Sequence, residues 1–575
     1  MARLFRIPLL LTAWASLLNA ATQWVKVSTP NFELYTSAGE KAGRDTATHF
    51  EQVRAFFAQA SPVKPPSEFP LRIIVFANPE QFAPYSPLPG AGAYFVSGPG
   101  RDYIVMRDAT TESYSFAVHE YMHFVTSHSG LKLPVWLNEG WADVYSSMRR
   151  VRDGMAVGDL VPMRMKALET AKASWLDLPT LLAVDQHSPI DHEGDRTGLF
   201  YAESWALTHM LFLSPGYKDN FGKFLMAVHR GTNPAEAFET SFGKTTQQVD
   251  ADLRSYFDRK KIQGTVFQPS PGKTSLGKTE PAPVSAQLED FNSRLLLADL
   301  RAATGRGDLA RSEYETLETQ QPDNQDLQQS MGYFFWGLRD NKQSLEHLEK
   351  AFAAGADNAQ MCYTLGLLQL AAGRPLEQIA ASHERAVKSR PGYAEALIQL
   401  GLIRTMTRQF PKVIDALMAV PNVTPDKAGP LFESLAYAWL ETGDIDNARL
   451  HLNTARKYAN KPEIVKGLDT LSSLIEARAK SQYAPRPGEK LIRAEGMVQG
   501  IDCSQPARKM VLTTTSGQTI AIELPTPAAV EFMHQGTEAL QIKCGPVKPF
   551  RAVVEYGQAS ALRQGTVGVL RTLQY

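Results

Sequence analysis

"AVHEYMHFV", Ala117 to Val125, carries the spacing on which the reading of the N-terminal half turns. On a helix, H-E-x-x-H sets His119 and His123 four residues apart on one face, with Glu120 beside them. Two imidazoles so placed can share a metal ion. The pattern is short, and a chain of 575 residues with 12 His can also produce it by chance, which would leave two ordinary polar residues on a helix. A zinc hydrolase needs three protein ligands and one position open to water. The surrounding residues therefore decide.

The run "SYSFAVHEYMHFVTSHSG" reads as a helix closed by Gly130, with Pro134 shortly beyond. The next segment is "PVWLNEGWAD", Pro134 to Asp143. Glu139 lies there on what should be a second helix, after a loop that can reverse the chain and bring the carboxylate alongside the histidines. Asp143 follows four residues later on the same face, placed to accept the outer N–H of a metal-bound histidine and fix its tautomer. Upstream, Leu71–Ala77 and Asp102–Arg107 read as strands. Downstream, helices are expected at about 200–214, 217–230 and 246–261. Residues 22–262 thus predict an α+β domain, strands first and helices after.

"HEYMH" followed by "NEGWAD" resembles the gluzincin metallopeptidases, the group containing thermolysin and aminopeptidase N, and more closely the bacterial peptidase-MA-like domains with "WLxEG" after the metal helix. The resemblance covers roughly residues 24–260. It implies a zincin-like fold and one Zn2+ per chain held by His119, His123 and Glu139, with Glu120 as general base. "FYAESWALTHML", Phe200 to Leu211, is similar to the helix that carries a transition-state tyrosine in the aminopeptidase-N-like enzymes. Tyr201 takes that position, and a core tyrosine at a helix start is the alternative. The glycine-rich signature that reads a substrate N-terminus is absent and the gap between the motifs is shorter, so the resemblance implies an endopeptidase rather than an aminopeptidase. It also implies an edge strand that aligns the substrate, either Ala93–Val96 or Tyr103–Met106. His128 lies off the face of His123 and reads as a helix-end residue. His187 and His192, around Pro189, read as loop residues.

The rest of the chain divides by composition. Arg3 and Arg6 precede the apolar run Ile7–Leu18, and small residues follow it, the layout of a secretory signal peptide over residues 1–20. Twelve apolar residues are too few to span a bilayer, so the mature protein is expected in the periplasm or outside the cell, without a membrane span. The 60 basic residues balance 60 acidic ones, and no charge excess points to nucleic acid. Residues 263–285 are rich in Pro, Gly, Ser and Thr and read as a linker. Within it, Gly272 to Thr279 formally matches a phosphate-binding loop, but flanking prolines at 269, 271, 281 and 283 leave no strand before it or helix after it.

Across 286–480, small residues recur at Ala298, Gly332, Gly366, Gly401 and Ala436, and seven residues after each comes Gly305, Arg339, Gly373, Arg408 or Gly443. A small residue at a helix crossing and a turn after it describe stacked helical hairpins. The pattern resembles the tetratricopeptide repeat, which implies an all-α solenoid that presents a groove to a peptide or protein partner; a spacer that binds nothing is the alternative. Residues 491–575 alternate in short runs such as "TIAIELP" and "RAVVEYG", as in a small all-β barrel or sandwich. Cys503 and Cys544 share that segment while Cys362 lies in the repeats. Export permits a Cys503–Cys544 disulfide with Cys362 a buried thiol, and three free cysteines are the alternative.

The sequence thus reads as a multidomain protein whose leading function is secreted, zinc-dependent hydrolysis of peptide bonds in a peptide or protein substrate. The alternative is a catalytically inactive peptidase-like binding or assembly protein that works through its repeats.

Overall fold

The computed structural model describes residues 22–575 except 67–70, 88–89, 99, 153, 172–173, 186–187, 189–193, 259–261, 269–281, 460, 484–488, 504–507, 526–529, 534–543 and 559–564. The signal segment and the formal phosphate loop lie outside these residues, as do His187 and His192. Two compact units divide the chain at residue 354/355.

The first unit begins with β1 (Val25–Ser28), β2 (Glu33–Thr36), α1 (Glu40–Gln59), β3 (Leu71–Val75), the single turn α2 (Pro79–Phe82), β4 (Ala93–Gly98) and β5 (Arg101–Met106). Then come α3 (Thr111–His128), α4 (Val135–Ser146), β6 (Arg149–Val151), β7 (Gly154–Val157), α5 (Pro162–Thr170), α6 (Leu178–Ala183), α7 (Gly194–Leu213), α8 (Phe221–His229), α9 (Pro234–Phe242) and α10 (Thr246–Asp258). The sheet order is β4-β5-β3-β2-β1 with β9 (Val284–Gln287) beyond β1. The β2–β3 and β3–β5 pairs are parallel; β4 runs antiparallel to β5 on the outer edge.

Alternation along the strands sends Ile73, Val75, Ile104 and Met106 into a core with Phe50 and Phe57 of α1 and Tyr121 and Val125 of α3. Ile74, Tyr103 and Val105 face the other way. They are covered by Leu296 and Leu300 of α11 (Asp290–Ala303), which is followed by α12 (Gly307–Gln320), α13 (Gln325–Gly337) and α14 (Asn341–Ala353). The first repeat helix is therefore part of this domain's core. Asp299 on α11 reinforces the join, accepting a hydrogen bond from Tyr314 Oη (2.9 Å) and pairing with Arg72 and Arg101 of the sheet.

The segment read as a linker is structured at both ends, which corrects that reading. Thr265–Phe267 forms β8, antiparallel to β7, and Val284–Gln287 pairs with β1. Runs of three or four residues carry no hydrophobic period of their own; what fixes them is the unpaired backbone of a neighbouring strand.

The second unit continues the hairpins with α15 (Ala359–Ala371), α16 (Leu376–Ser389), α17 (Ala394–Met406), α18 (Phe410–Met418), α19 (Pro425–Thr442), α20 (Ile445–Arg456) and α21 (Pro462–Tyr483). All five expected turn residues adopt the left-handed backbone: Gly305 (φ 78°), Arg339 (61°), Gly373 (68°), Arg408 (57°) and Gly443 (87°). Each donates its N–H three residues back, and the next residue donates five back, as Asp340 does to Phe335 and Asp444 to Trp439. That pair of bonds closes a helix with its last carbonyls satisfied. Gly332, Gly366 and Gly401 lie where a Cβ would strike Leu348, His383 and Leu417 of the returning helix. These are tetratricopeptide-type helical hairpins.

The chain ends with β10 (Lys490–Asp502), β11 (Lys509–Thr514), β12 (Thr519–Glu523), β13 (Glu531–Met533), β14 (Gly545–Gln558) and β15 (Val569–Gln574), ordered β12-β11-β10-β14-β15-β13. A further β12–β15 pairing at Glu523 and Val569 curls the sheet closed on itself. This is a small barrel around Val498, Leu512, Ile522 and Val554. Cys503 and Cys544 are disulfide-bonded where β10 and β14 begin to pair, and Cys362 is a buried free thiol. Among the described residues, no helix is long and apolar enough to cross a membrane.

Candidate metal centre

Helix α3 starts at Thr110, whose side chain accepts from Ser113 N–H, and ends before Gly130 in the left-handed region. Pro134 caps α4, which folds back against α3. That reversal brings three donors together: His119 Nε2 lies 3.0 Å from His123 Nε2, and Glu139 Oε2 lies 3.3 Å and 3.5 Å from them. Among the described residues, these three form the one group of His, Cys, Asp or Glu with ligand atoms this close.

The two separations to Glu139 are those of ligands on one zinc ion, and the two imidazole nitrogens stand slightly closer than that. Tetrahedral bonds of about 2.0–2.2 Å require neighbouring donors roughly 3.2–3.6 Å apart. The outer hydrogen bonds leave the inner nitrogens free to bind. In the neutral ring His119 Nδ1–H donates to Asp143 Oδ1 (3.0 Å), so Nε2 carries the lone pair. The Asn138 amide lies 3.1 Å from His123 Nδ1. Its nitrogen faces the ring and its oxygen accepts from Thr126 Oγ1 (3.1 Å); turned end for end, the amide oxygen would accept Nδ1–H and free Nε2 in the same way. Thr126 Oγ1 suits the turned amide as well, because a hydroxyl also accepts.

The electrostatics favour a cation where the donors meet. Burial works against a charged His119, yet hydrogen bonds to Asp143 and Glu139 hold its pKa well above the ordinary imidazole value. Burial alone would raise the Glu139 carboxyl. The protonated imidazoles of His119 and His123, donating to it when no metal is bound, outweigh burial and hold Glu139 below the usual carboxylate range; a metal ion would take the place of those protons. Glu120 differs: burial, the largest influence, pushes its pKa above the ordinary value. One of its oxygens accepts the backbone N–H of Phe95 on β4 (2.9 Å).

The sequence-derived residues therefore converge. His119, Glu120, His123, Glu139, Asp143 and Tyr201 all line one cavity of about 630 Å³. Gly140 brings Tyr201's helix into place, since a Cβ there would lie 2.2 Å from the Ser204 carbonyl oxygen of α7. Of the two expected edge strands, Ala93–Val96 lies in the edge strand β4. Tyr103–Met106 does not, because β5 is paired on both sides. His128 is more than a helix-end residue: its Nε2 lies 2.5 Å from Asp102 Oδ2, tying α3 to β5.

Two contributors were missed. Asn138 stands beside Glu139 in the quoted motif, but its role needs the distance to His123. Arg164 on α5 had no signal. Its Nε donates to Asp143 Oδ2 (2.6 Å), and its guanidinium lies 5.0 Å from the centre of the Tyr201 ring.

No family model matches the sequence, and no curated protein matches it. Solved structures match parts of the chain. YrrB, described as a TPR protein with an unusual peptide-binding site, is 17% identical with a TM-score of 0.27, over 32% of this chain and 92% of its own. A structure of MamA is 20% identical with a TM-score of 0.25, over 29% and 91%. A second MamA structure is 19% identical with a TM-score of 0.23, over 30% and 95%.

Proposed function

We propose that this protein is an exported zinc metallopeptidase that hydrolyses peptide bonds, with helical repeats that recruit a protein or peptide partner. One observation carries the reading: His119, His123 and Glu139 bring three donor atoms within 3.0–3.5 Å of one another, and Glu120 lines the same cavity. His119, His123 and Glu139 would hold the metal. A zinc ion there acidifies a water and polarises a carbonyl. Glu120 takes the proton from the attacking water and returns it to the leaving amine. Asp143 and Asn138 keep the imidazoles in the binding tautomer. The Tyr201 hydroxyl donates to the oxyanion that develops on the scissile carbonyl. Export is supported by the basic residues and apolar run at the N-terminus, and by a disulfide, which needs an oxidising compartment.

The test is metal analysis and hydrolysis of a denatured-protein mixture, with sequencing of the new termini. The wild type is expected to hold about one zinc per chain. Glu120→Gln should keep its zinc and lose about 10²–10⁴-fold in rate, because glutamine cannot accept the proton. Glu139→Gln should instead weaken zinc binding. A wild type that takes up no zinc on reconstitution, or a Glu120→Gln protein that cleaves as fast as its parent, sinks the mechanism.

A second reading keeps the repeats as the working surface and the metal domain inert. It is favoured by a groove in the second unit of about 340 Å³, lined by Tyr363, Ile398, Leu402, Glu395 and Lys427, where Leu402 is 50% exposed. The Glu120→Gln protein separates the two readings, since full biological activity in that variant supports only the second.

A further inference from the structure

We propose that Arg164 is a positioning residue that locks Asp143 and Tyr201 into one arrangement and so couples the metal-binding half of the site to the half that stabilises the oxyanion. The inference rests on the metallopeptidase reading and adds a residue that the motifs do not mark.

The contacts involve four helices. Arg164 lies in the first turn of α5, after Pro162. Its Nε lies 2.6 Å from Asp143 Oδ2 and its second terminal nitrogen 3.4 Å from Oδ1. That same Oδ1 accepts the His119 Nδ1–H, so the guanidinium sets the rotation of the carboxylate that orients His119. The guanidinium also covers the Tyr201 ring on α7 at 5.0 Å. Arg164 is 14% exposed and Asp143 5%, so solvent screens the pair weakly. A planar, delocalised cation is needed for both contacts at once. A lysine ammonium can neutralise Asp143 but cannot fork onto it while lying flat on a ring.

If Arg164 works this way, its loss acts through Tyr201 and Asp143 rather than through the fold. The experiment compares wild type, Arg164→Lys, Arg164→Gln, Tyr201→Phe and the Arg164→Lys/Tyr201→Phe double variant. Zinc affinity is read by competition with a chromogenic chelator. kcat and KM are read on a fluorogenic peptide chosen from the termini that the wild type generates. Arg164→Lys should lower kcat about 10–100-fold with KM changed less than about 3-fold, and should weaken zinc about 10-fold. In the Tyr201→Phe background the same substitution should cost at most about 3-fold in kcat, because the tyrosine it positions has already lost its hydroxyl. Arg164→Gln repeats the test should the lysine variant fail to fold. Wild-type kcat and zinc affinity in folded Arg164 variants, or full additivity with Tyr201→Phe, overturns the inference alone. A wild type without zinc or hydrolysis overturns it together with the metallopeptidase reading.

Discussion

Two residues after Tyr201, Glu203 is a buried carboxyl with no part in the proposed chemistry. It is 1% exposed and accepts the N–H of Leu176 (2.9 Å). Burial, the largest influence, pushes its pKa up to about 8, only partly offset by that hydrogen bond and by Arg254. The folded value therefore lies above the unfolded one, near 4.5. The folded chain binds the extra proton, so this stability is complete below about pH 4.5 and is lost as pH rises through about 8. Melting curves should fall between pH 5 and 9, with a contribution of the order of a few kcal/mol from this group. Glu203→Gln stays neutral and should flatten that fall, melting above the wild type at pH 9. Identical pH profiles for the two proteins would show that Glu203 does not control it.

At the scale of elements, the turns that join the paired repeat helices share one backbone solution filled by two kinds of residue. Gly305, Gly373 and Gly443 adopt the left-handed conformation without strain, whereas Arg339 and Arg408 hold it at φ 61° and 57°. A side chain in that region costs about 1–2 kcal/mol. Part of the gain from glycine is offset by its larger entropy loss on folding, about 0.5–1 kcal/mol. Arg339→Gly and Arg408→Gly should each stabilise the chain by a few tenths to about 1 kcal/mol. Denaturant unfolding of each variant measures this as a higher midpoint at unchanged slope. Arg408 is the stricter case, because its exposed pairing with Glu441 at 3.6 Å is worth little.

At the scale of the whole molecule, the repeats do not begin as a separate module. The first repeat helix covers Ile74, Tyr103 and Val105 with Leu296 and Leu300, and the compact unit runs to Ala354. A chain cut after residue 285 exposes that sheet face and leaves Arg72 and Arg101 without Asp299. Residues 22–354 should melt cooperatively at a temperature well above that of residues 22–285, which should bind hydrophobic dye or precipitate. Equal melting temperatures for the two fragments would show that the first hairpins contribute nothing to the domain.

The sequence by itself determined whatever depends on fixed spacing along one chain. Four residues place two histidines on one helix face, and a break at Gly130 and Pro134 lets Glu139 fold back to meet them. A period of about 34 residues marked each turn between paired helices, because every hairpin must solve the same packing problem. Shared context in one small β segment pointed to the Cys503–Cys544 bond. The tertiary structure alone decided which groups meet from distant parts of the chain. Arg164 reaches Asp143 and Tyr201 only because α4, α5 and α7 pack together, and no local pattern records that. The strands at 265–267 and 284–287 form because β7 and β1 offer them unpaired backbone, and α11 joins the sheet because an apolar face lay open there. Spacing is a local property of a polymer, whereas burial and pairing depend on what the rest of the chain brings alongside.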